Sequence, residues 1–133
     1  MKGVKVKDVM TRGVVSVEEG VSVKDAASVL ADYDISGVVV IKEGELVGLL
    51  SEIDIVKVAD REIESIKVAD IMTKPVVTCR KEDDVEKASA LMREHGIHRL
   101  VVEQEVKVEE GVKQVPAGVI SASDIVKAIA GRR

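Results

Sequence analysis

The chain has 133 residues, 46% hydrophobic and 33% charged, which is enough apolar material for one globular unit and too short for two independent ones. Tyr33 is the single aromatic residue, so the core must be built from Val, Ile, Leu, Ala and Met, and a platform that stacks nucleic-acid bases is excluded. The formal charge of −4 opposes a polyanionic partner.

The opening residues Met1-Lys2-Gly3-Val4-Lys5 lack the apolar run of a signal peptide, and no stretch reaches the roughly 18 apolar residues of a membrane span. The expectation is a cytoplasmic protein with no membrane partner. Cys79 is the only cysteine, which leaves no intramolecular disulfide and no cysteine-based metal cluster.

The first motif, Val6-Lys7-Asp8-Val9-Met10-Thr11, returns later as Val68-Ala69-Asp70-Ile71-Met72-Thr73. Residues 14–17 then form a β-branched run, read as a strand. Ser22 precedes a helix in which Val23, Ala26, Ala27 and Leu30 recur at three- and four-residue spacing. Ser22 with Asp25 resembles a capping box that has Asp in place of Glu. Residues 37–41 are a continuous apolar strand, residues 42–45 a turn centred on Gly44, and residues 46–50 the return strand of a hairpin. A helix follows from Ser51.

The same order then repeats. Val14-Val15-Ser16 matches Val76-Val77-Thr78, Val23 and Ala26 match Val85 and Ala88, and residues 35–40 match 97–102. Residues 48–57 match 118–127 after an insertion. The two copies are residues 4–62 and 63–131. In the second, the hairpin lengthens over residues 103–116, where Val106, Val108 and Val112 partly alternate with charges. It extends as a β-ribbon, read either as a solvated excursion or as an arm that contacts a partner.

These elements give an α+β class with the order strand, helix, strand, strand, helix, twice over. The hairpin strands are apolar at nearly every position, so both faces of each sheet need cover. Packing the two copies sheet to sheet about a pseudo-twofold axis provides it, and leaves paired clefts.

Two segments carry candidate chemistry. Ser51-Glu52-Ile53-Asp54 and Ser121-Ala122-Ser123-Asp124 each follow an apolar strand and open a helix. One reading is a capping box, which satisfies free backbone N–H groups and contributes about 1 kcal/mol. The other uses the same place: a helix start offers N–H donors to phosphate, and a carboxylate accepts hydrogen bonds from ribose hydroxyls. Duplication preserves either. His95 sits where the helix ends against Gly96, and an imidazole there meets the helix dipole. His98 and Arg99 enter a strand and point to opposite faces, and either can face phosphate. The two histidines lack a third ligand for a metal. No phosphate-binding loop, dinucleotide fingerprint, nucleophile elbow or H-E-x-x-H is present, so no enzyme activity and no catalytic cofactor are expected. Cys79 reads as a small buried hydrophobe.

Residues 4–130 resemble tandem CBS domains, the paired unit called a Bateman module. Val9-Met10-Thr11 and Ile71-Met72-Thr73 are similar to that family's opening motif, Ile35-Ser36-Gly37-Val38-Val39-Val40 to its second strand, and residues 48–54 and 118–124 to its G-h-h-[ST]-x-x-D ending. The resemblance implies a regulatory module that binds AMP, ADP or ATP between its repeats. It implies one nucleotide group of Ser51 and Asp54 with Thr73, Lys74, Pro75, Val76 and Arg99, and another of Ser121 and Asp124 with Thr11, Val14, Gly37 and His98. The Asp would hold ribose, and the Ser or Thr with the basic residues would hold phosphate. Lys74 and Arg99 give the first group two cations and the expected preference for phosphorylated ligand. Gly13 stands where the second copy has Pro75, and Val101 replaces a proline frequent in the family. The resemblance further implies a homodimer and a freestanding module acting on an unidentified protein. Alternatives are a scaffold without ligand, S-adenosylmethionine binding, nucleic-acid binding, which the charge opposes, and an uncharacterised hydrolase.

Overall fold

The computed structural model describes residues 1–131. In chain order the elements are α1 (Val6–Val9), β1 (Thr11–Arg12), β2 (Ser16–Glu18), α2 (Val23–Tyr33), β3 (Gly37–Lys42), β4 (Glu45–Ser51), α3 (Glu52–Val56), α4 (Val68–Ile71), β5 (Thr78–Arg80), α5 (Val85–His95), β6 (Arg99–Val108), β7 (Gly111–Ser121) and α6 (Ala122–Ile129). The repeated strand, helix, strand, strand, helix order is present in both copies. The single core expected from length is instead two apolar clusters, one in each of two compact units. Some sixty residues close a small sheet-and-helix core here because nearly every inward position is an aliphatic side chain.

The central unit is Val15–Val76. Its sheet has the order β2-β3-β4, with β2 parallel to β3 and β3 antiparallel to β4. Val38 and Val40 of β3 pack with Val17, Leu50, Ala26, Leu30 and Val68, and Val39 between them is buried too. Helix α2 starts where the Ser22 hydroxyl accepts the Asp25 N–H at 3.0 Å. It ends at Asp34, which adopts the left-handed conformation at φ 53°.

The terminal unit joins Met1–Val14 to the chain from Val77 on. Its sheet has the order β1-β7-β6-β5. Leu100, Val102, Ile120, Cys79, Ala88 and Met92 form its core together with Val6 and Val9. Gly96 ends α5 at φ 62°, with its N–H on the Met92 carbonyl.

Repeat and compact unit are different divisions of the chain. The opening motif of the first repeat folds with the body of the second: β1 pairs antiparallel with β7, Thr11 opposite Val119. The opening motif of the second repeat folds with the body of the first, where Thr73 and Leu49 exchange backbone hydrogen bonds at 2.8 and 3.0 Å. Periodicity gave no sign of α1 and α4, because four residues are too few to show one. Each is held by burial of its Val (Val6, Val68) and by an Asp at its third position: Asp8 accepts the Lys5 N–H at 3.1 Å and Asp70 the Lys67 N–H at 3.3 Å.

The insertion of the second repeat is a two-stranded ribbon. After a bulge at Val102/Glu103, β6 and β7 stay paired from Glu103–Pro116 out to Val108–Gly111 around a two-residue turn. Its polar side chains tie back to β5: Thr78 donates to Glu103 at 3.0 Å, and Arg80 to Gln114 at 3.3 Å.

Candidate functional site

In the central unit β4 ends at Ser51, the N-cap of α3. Both halves of the capping box form: Asp54 Oδ2 accepts the Ser51 N–H at 2.9 Å, and Ser51 Oγ accepts the Asp54 N–H at 3.3 Å. The strap after α4 brings a third group. Thr73 Oγ1 donates to the Asp54 carboxylate at 3.3 Å to Oδ2 and 3.4 Å to Oδ1. Asp54 is the one buried charged residue among those described, and every hydrogen bond it makes is to a neutral donor. Lys74 and Pro75 follow Thr73 exposed, and Val76 is half-buried. Gly37 stands opposite Ser51 in the ladder, and a Cβ there would meet the Leu50 carbonyl oxygen at 3.3 Å.

The terminal unit repeats the geometry with one difference. Asp124 Oδ2 accepts the Ser121 N–H at 3.0 Å, and Ser121 Oγ accepts the Asp124 N–H at 3.1 Å. Thr11 makes no hydrogen bond to it, so Oδ1 keeps its full accepting capacity. Asp124 is half-buried and lines a cavity of about 260 Å³ with Asp8, Val9, Met10, Thr11 and Lys127. Arg99 stands opposite Ser121 in the ladder, and the His98 carbonyl accepts the Ala122 N–H at 2.8 Å. His98 and Arg99 are exposed, Val14 is half-buried, and none of the three lines the cavity. Gly37 and Arg99, which the resemblance set in opposite groups, thus each stand in register with the serine of their own repeat.

Sequence reasoning missed Asp8 and Lys127. Both were legible by spacing: Lys127 lies three residues beyond Asp124, on one helix face, and Asp8 lies three before Thr11 in the repeated opening motif.

The close passage of the straps depends on two glycines. A Cβ on Gly48 would come within 2.5 Å of Met72 Sδ, and one on Gly118 would collide with the Thr11 carbonyl oxygen. Gly48 and Gly118 occupy the same place in the two repeats, so the glycine of G-h-h-[ST]-x-x-D lets the threonine strap lie against the strand that carries the acid.

Cys79 is buried, and its thiol is pushed up to about 11 by desolvation first and by Asp83 second. It has no nucleophilic character near neutrality. Among the described residues no group of three or more His, Cys, Asp or Glu is placed to hold a metal ion, and no helix is long and apolar enough to cross a membrane.

The CBS domain family matches residues 6–61 and 68–131. A homoserine O-acetyltransferase of Methanococcus vannielii is 33% identical over 128 residues, 93% of this chain and 24% of that protein. An inosine-5′-monophosphate dehydrogenase of Methanocaldococcus jannaschii is 31% identical over 125 residues, 92% of this chain and 23% of that protein. The chain thus spans about a quarter of the length of these curated relatives. Among solved structures, a CBS-domain protein of Agrobacterium tumefaciens superposes with a TM-score of 0.75 at 30% identity, covering 94% of this chain and 98% of that one. CBSX2 in complex with AMP superposes with a TM-score of 0.77 at 25% identity, covering 97% and 98%. A CBS-domain pair in complex with 5′-methylthioadenosine and S-adenosyl-L-methionine shares the fold, at TM-score 0.77 and 22% identity over 97% and 98%. Ligands built on adenosine recur among these structural relatives. With its repeated S-x-x-D helix starts, its duplicated strand and helix order and a match over both repeats, the chain belongs to the CBS domain family and carries two copies of the domain.

Proposed function

We propose that the protein binds an adenine nucleotide through the acids of its two S-x-x-D segments and passes ligand status to a partner protein. The observation that carries this reading is the state of Asp124. Capping uses one of its oxygens, and the other is free at the wall of a cavity that also holds a hydroxyl and an ammonium group. A carboxylate placed so accepts hydrogen bonds from vicinal hydroxyls, as a ribose presents them. The AMP complex of a relative with the same fold supports the adenine class. A cavity of about 260 Å³ suits a sugar phosphate and falls short of the roughly 300–1,000 Å³ that bury a drug-sized ligand, so the base would be held elsewhere. Ser51, Asp54, Thr73, Lys74, Pro75, Val76 and Gly37 are the candidate residues of the central unit. Thr11, Val14, His98, Arg99, Ser121 and Asp124 are those of the terminal one.

Calorimetric titration of AMP, ADP and ATP against wild type, Asp54→Ala and Asp124→Ala tests the reading. Binding is expected in wild type and reduced stoichiometry in each variant. No heat with any of the three nucleotides would refute it.

A homodimer is the second element of the proposal. Ile53 and Val56 on α3 and Val126 and Ile129 on α6 are each about 60% exposed or more, which is unusual for aliphatic residues on one helix face. Val126→Glu is expected to lower the sedimentation coefficient to that of a monomer. A wild type that sediments as a monomer would remove this element and leave the nucleotide reading intact.

A further inference from the structure

A groove of about 260 Å³ lies between α2 and α3 of the central unit. Its apolar wall includes Leu30, Ile35, Ile55 and Val56, and its charged residues are Asp34 and Glu52. Val56 is 62% exposed there, and Ile53, one turn earlier on α3, is 59% exposed. Neither acid makes a side-chain hydrogen bond or ion pair among the described residues. Asp34 also holds a left-handed backbone, φ 53° and ψ 51°, which glycine adopts more readily. The matching residue of the second repeat is that glycine, Gly96, at φ 62°. The turn itself therefore has no need of a carboxylate.

The matching positions of the second repeat carry the opposite charge. Gly96 and Ala122 stand where the first repeat has Asp34 and Glu52, so both acids are gone, and Arg93 stands where it has Ala31. Arg93 is exposed and likewise makes no side-chain hydrogen bond or ion pair among the described residues. Val126, which matches Val56, is 64% exposed. Each copy of the chain thus has two related apolar helix faces, one bearing two carboxylates and the other a guanidinium. Set against its own kind, the groove brings four carboxylates together with no cation. Set against the Arg93 face of another copy, it gains a guanidinium whose planar fork suits carboxylates.

We propose that the α2/α3 groove of the central unit docks the α5/α6 face of the terminal unit of a second copy, whose Arg93 reaches Asp34 and Glu52. This rests on the homodimer proposed above and adds to it which faces meet: unlike ones, central on terminal. Apolar contact through Val56 and Val126 supplies area, and the charges choose the pairing.

The test exchanges the charges. One variant combines Asp34→Asn with Glu52→Lys, Asn being chosen because it tolerates the left-handed backbone; the other is Arg93→Glu. All three positions are exposed, so neither variant touches a core. Sedimentation equilibrium is expected to show wild type as a dimer and to show self-association weakened about tenfold or more in each variant, because each sets like charges across the contact. Mixed one to one, the two variants should associate again, as a heterodimer of intermediate mass in native mass spectrometry, because every contact then joins opposite charges. Lys107→Glu, which makes the same change of charge on the ribbon, should associate as wild type does. Variants that dimerise as wild type, a mixture that stays monomeric, or an equal loss in Lys107→Glu overturns the assignment of faces while leaving the homodimer in place. A monomeric wild type overturns the homodimer and this assignment with it.

Discussion

The two strap glycines are expected to differ in cost when each is replaced by alanine, although they occupy the same place in the repeat. At Gly118 the added methyl would run into the backbone oxygen of Thr11, with Met10 Cε 2.9 Å away. A backbone oxygen cannot rotate aside, so β1 must leave β7. That costs the Thr11–Val119 and Arg12–Gly118 pairing and the hydrogen bond from the Gly13 N–H to the Ala117 carbonyl at 3.0 Å. Two or three backbone hydrogen bonds at about 1 kcal/mol each amount to about 2–3 kcal/mol. Alanine returns about 0.4–1 kcal/mol by restricting the unfolded chain, which leaves a net loss of about 2 kcal/mol. At Gly48 the methyl meets only the Met72 side chain, at 2.5 Å from Sδ, 2.9 Å from Cγ and 3.3 Å from Cβ. An unbranched thioether with three rotatable bonds can move, and the Leu49–Thr73 pair survives, so the loss should stay below about 1 kcal/mol. Urea unfolding at constant m measures both. A Gly48→Ala variant as destabilised as Gly118→Ala, or more so, would refute the distinction between a yielding side chain and an unyielding backbone.

Five shorter predictions follow from the same contacts. Ser121→Ala removes one acceptor from a helix start and should cost about 1 kcal/mol in urea unfolding. Asp54→Ala should cost more than Asp124→Ala, because it also strands the Thr73 hydroxyl; equal losses would contradict that. Cys79 should resist iodoacetamide at pH 8 in the folded protein and react once unfolded in urea, and rapid alkylation of the native state would contradict its burial. Because the folded thiol is raised above its ordinary value of 9.0 to about 11, the unfolded chain loses that proton first as pH rises. The contribution of Cys79 to stability is therefore complete below about pH 9 and declines toward pH 11, and a Cys79→Ala variant should lack that part of the alkaline decline. Replacing residues 104–115 with an Asn-Gly turn should leave the melting temperature nearly unchanged, since the ribbon contributes no residue to either core cluster and its Arg80–Glu105 pair is exposed.

The duplicated bodies of the two repeats were legible because their strands and long helices carry strong periods. Val38 and Val40, Leu100 and Val102, and Ala26 and Leu30 all lie in the cores where alternation and helical spacing put them. The opening motifs were recognised as repeated yet could not be placed. Six residues hold no period, and nothing local to Val6–Thr11 shows that it will pair with Val119 more than a hundred positions away. The capping boxes were read from the Ser and Asp spacing and are present in both repeats. What spacing could not supply was the tertiary difference between them: the Thr73 hydroxyl reaches one acid, and Thr11 leaves the other free.

That difference bears on how one residue can serve both fold and ligand. Capping needs a single acceptor oxygen, and a carboxylate has two, so a helix start of the S-x-x-D kind holds an acid rigidly while leaving half of it available. A Ser or Asn at the third helical position could not do this, because its one acceptor would be spent on the cap. The rotamer is fixed before a ligand arrives, so little side-chain entropy is lost on binding. At Asp124 the free oxygen faces a cavity. At Asp54 the Thr73 hydroxyl donates to both oxygens, so a ligand hydroxyl must share the carboxylate with that threonine or displace it. Asp124 is therefore the acid whose accepting capacity is open without rearrangement.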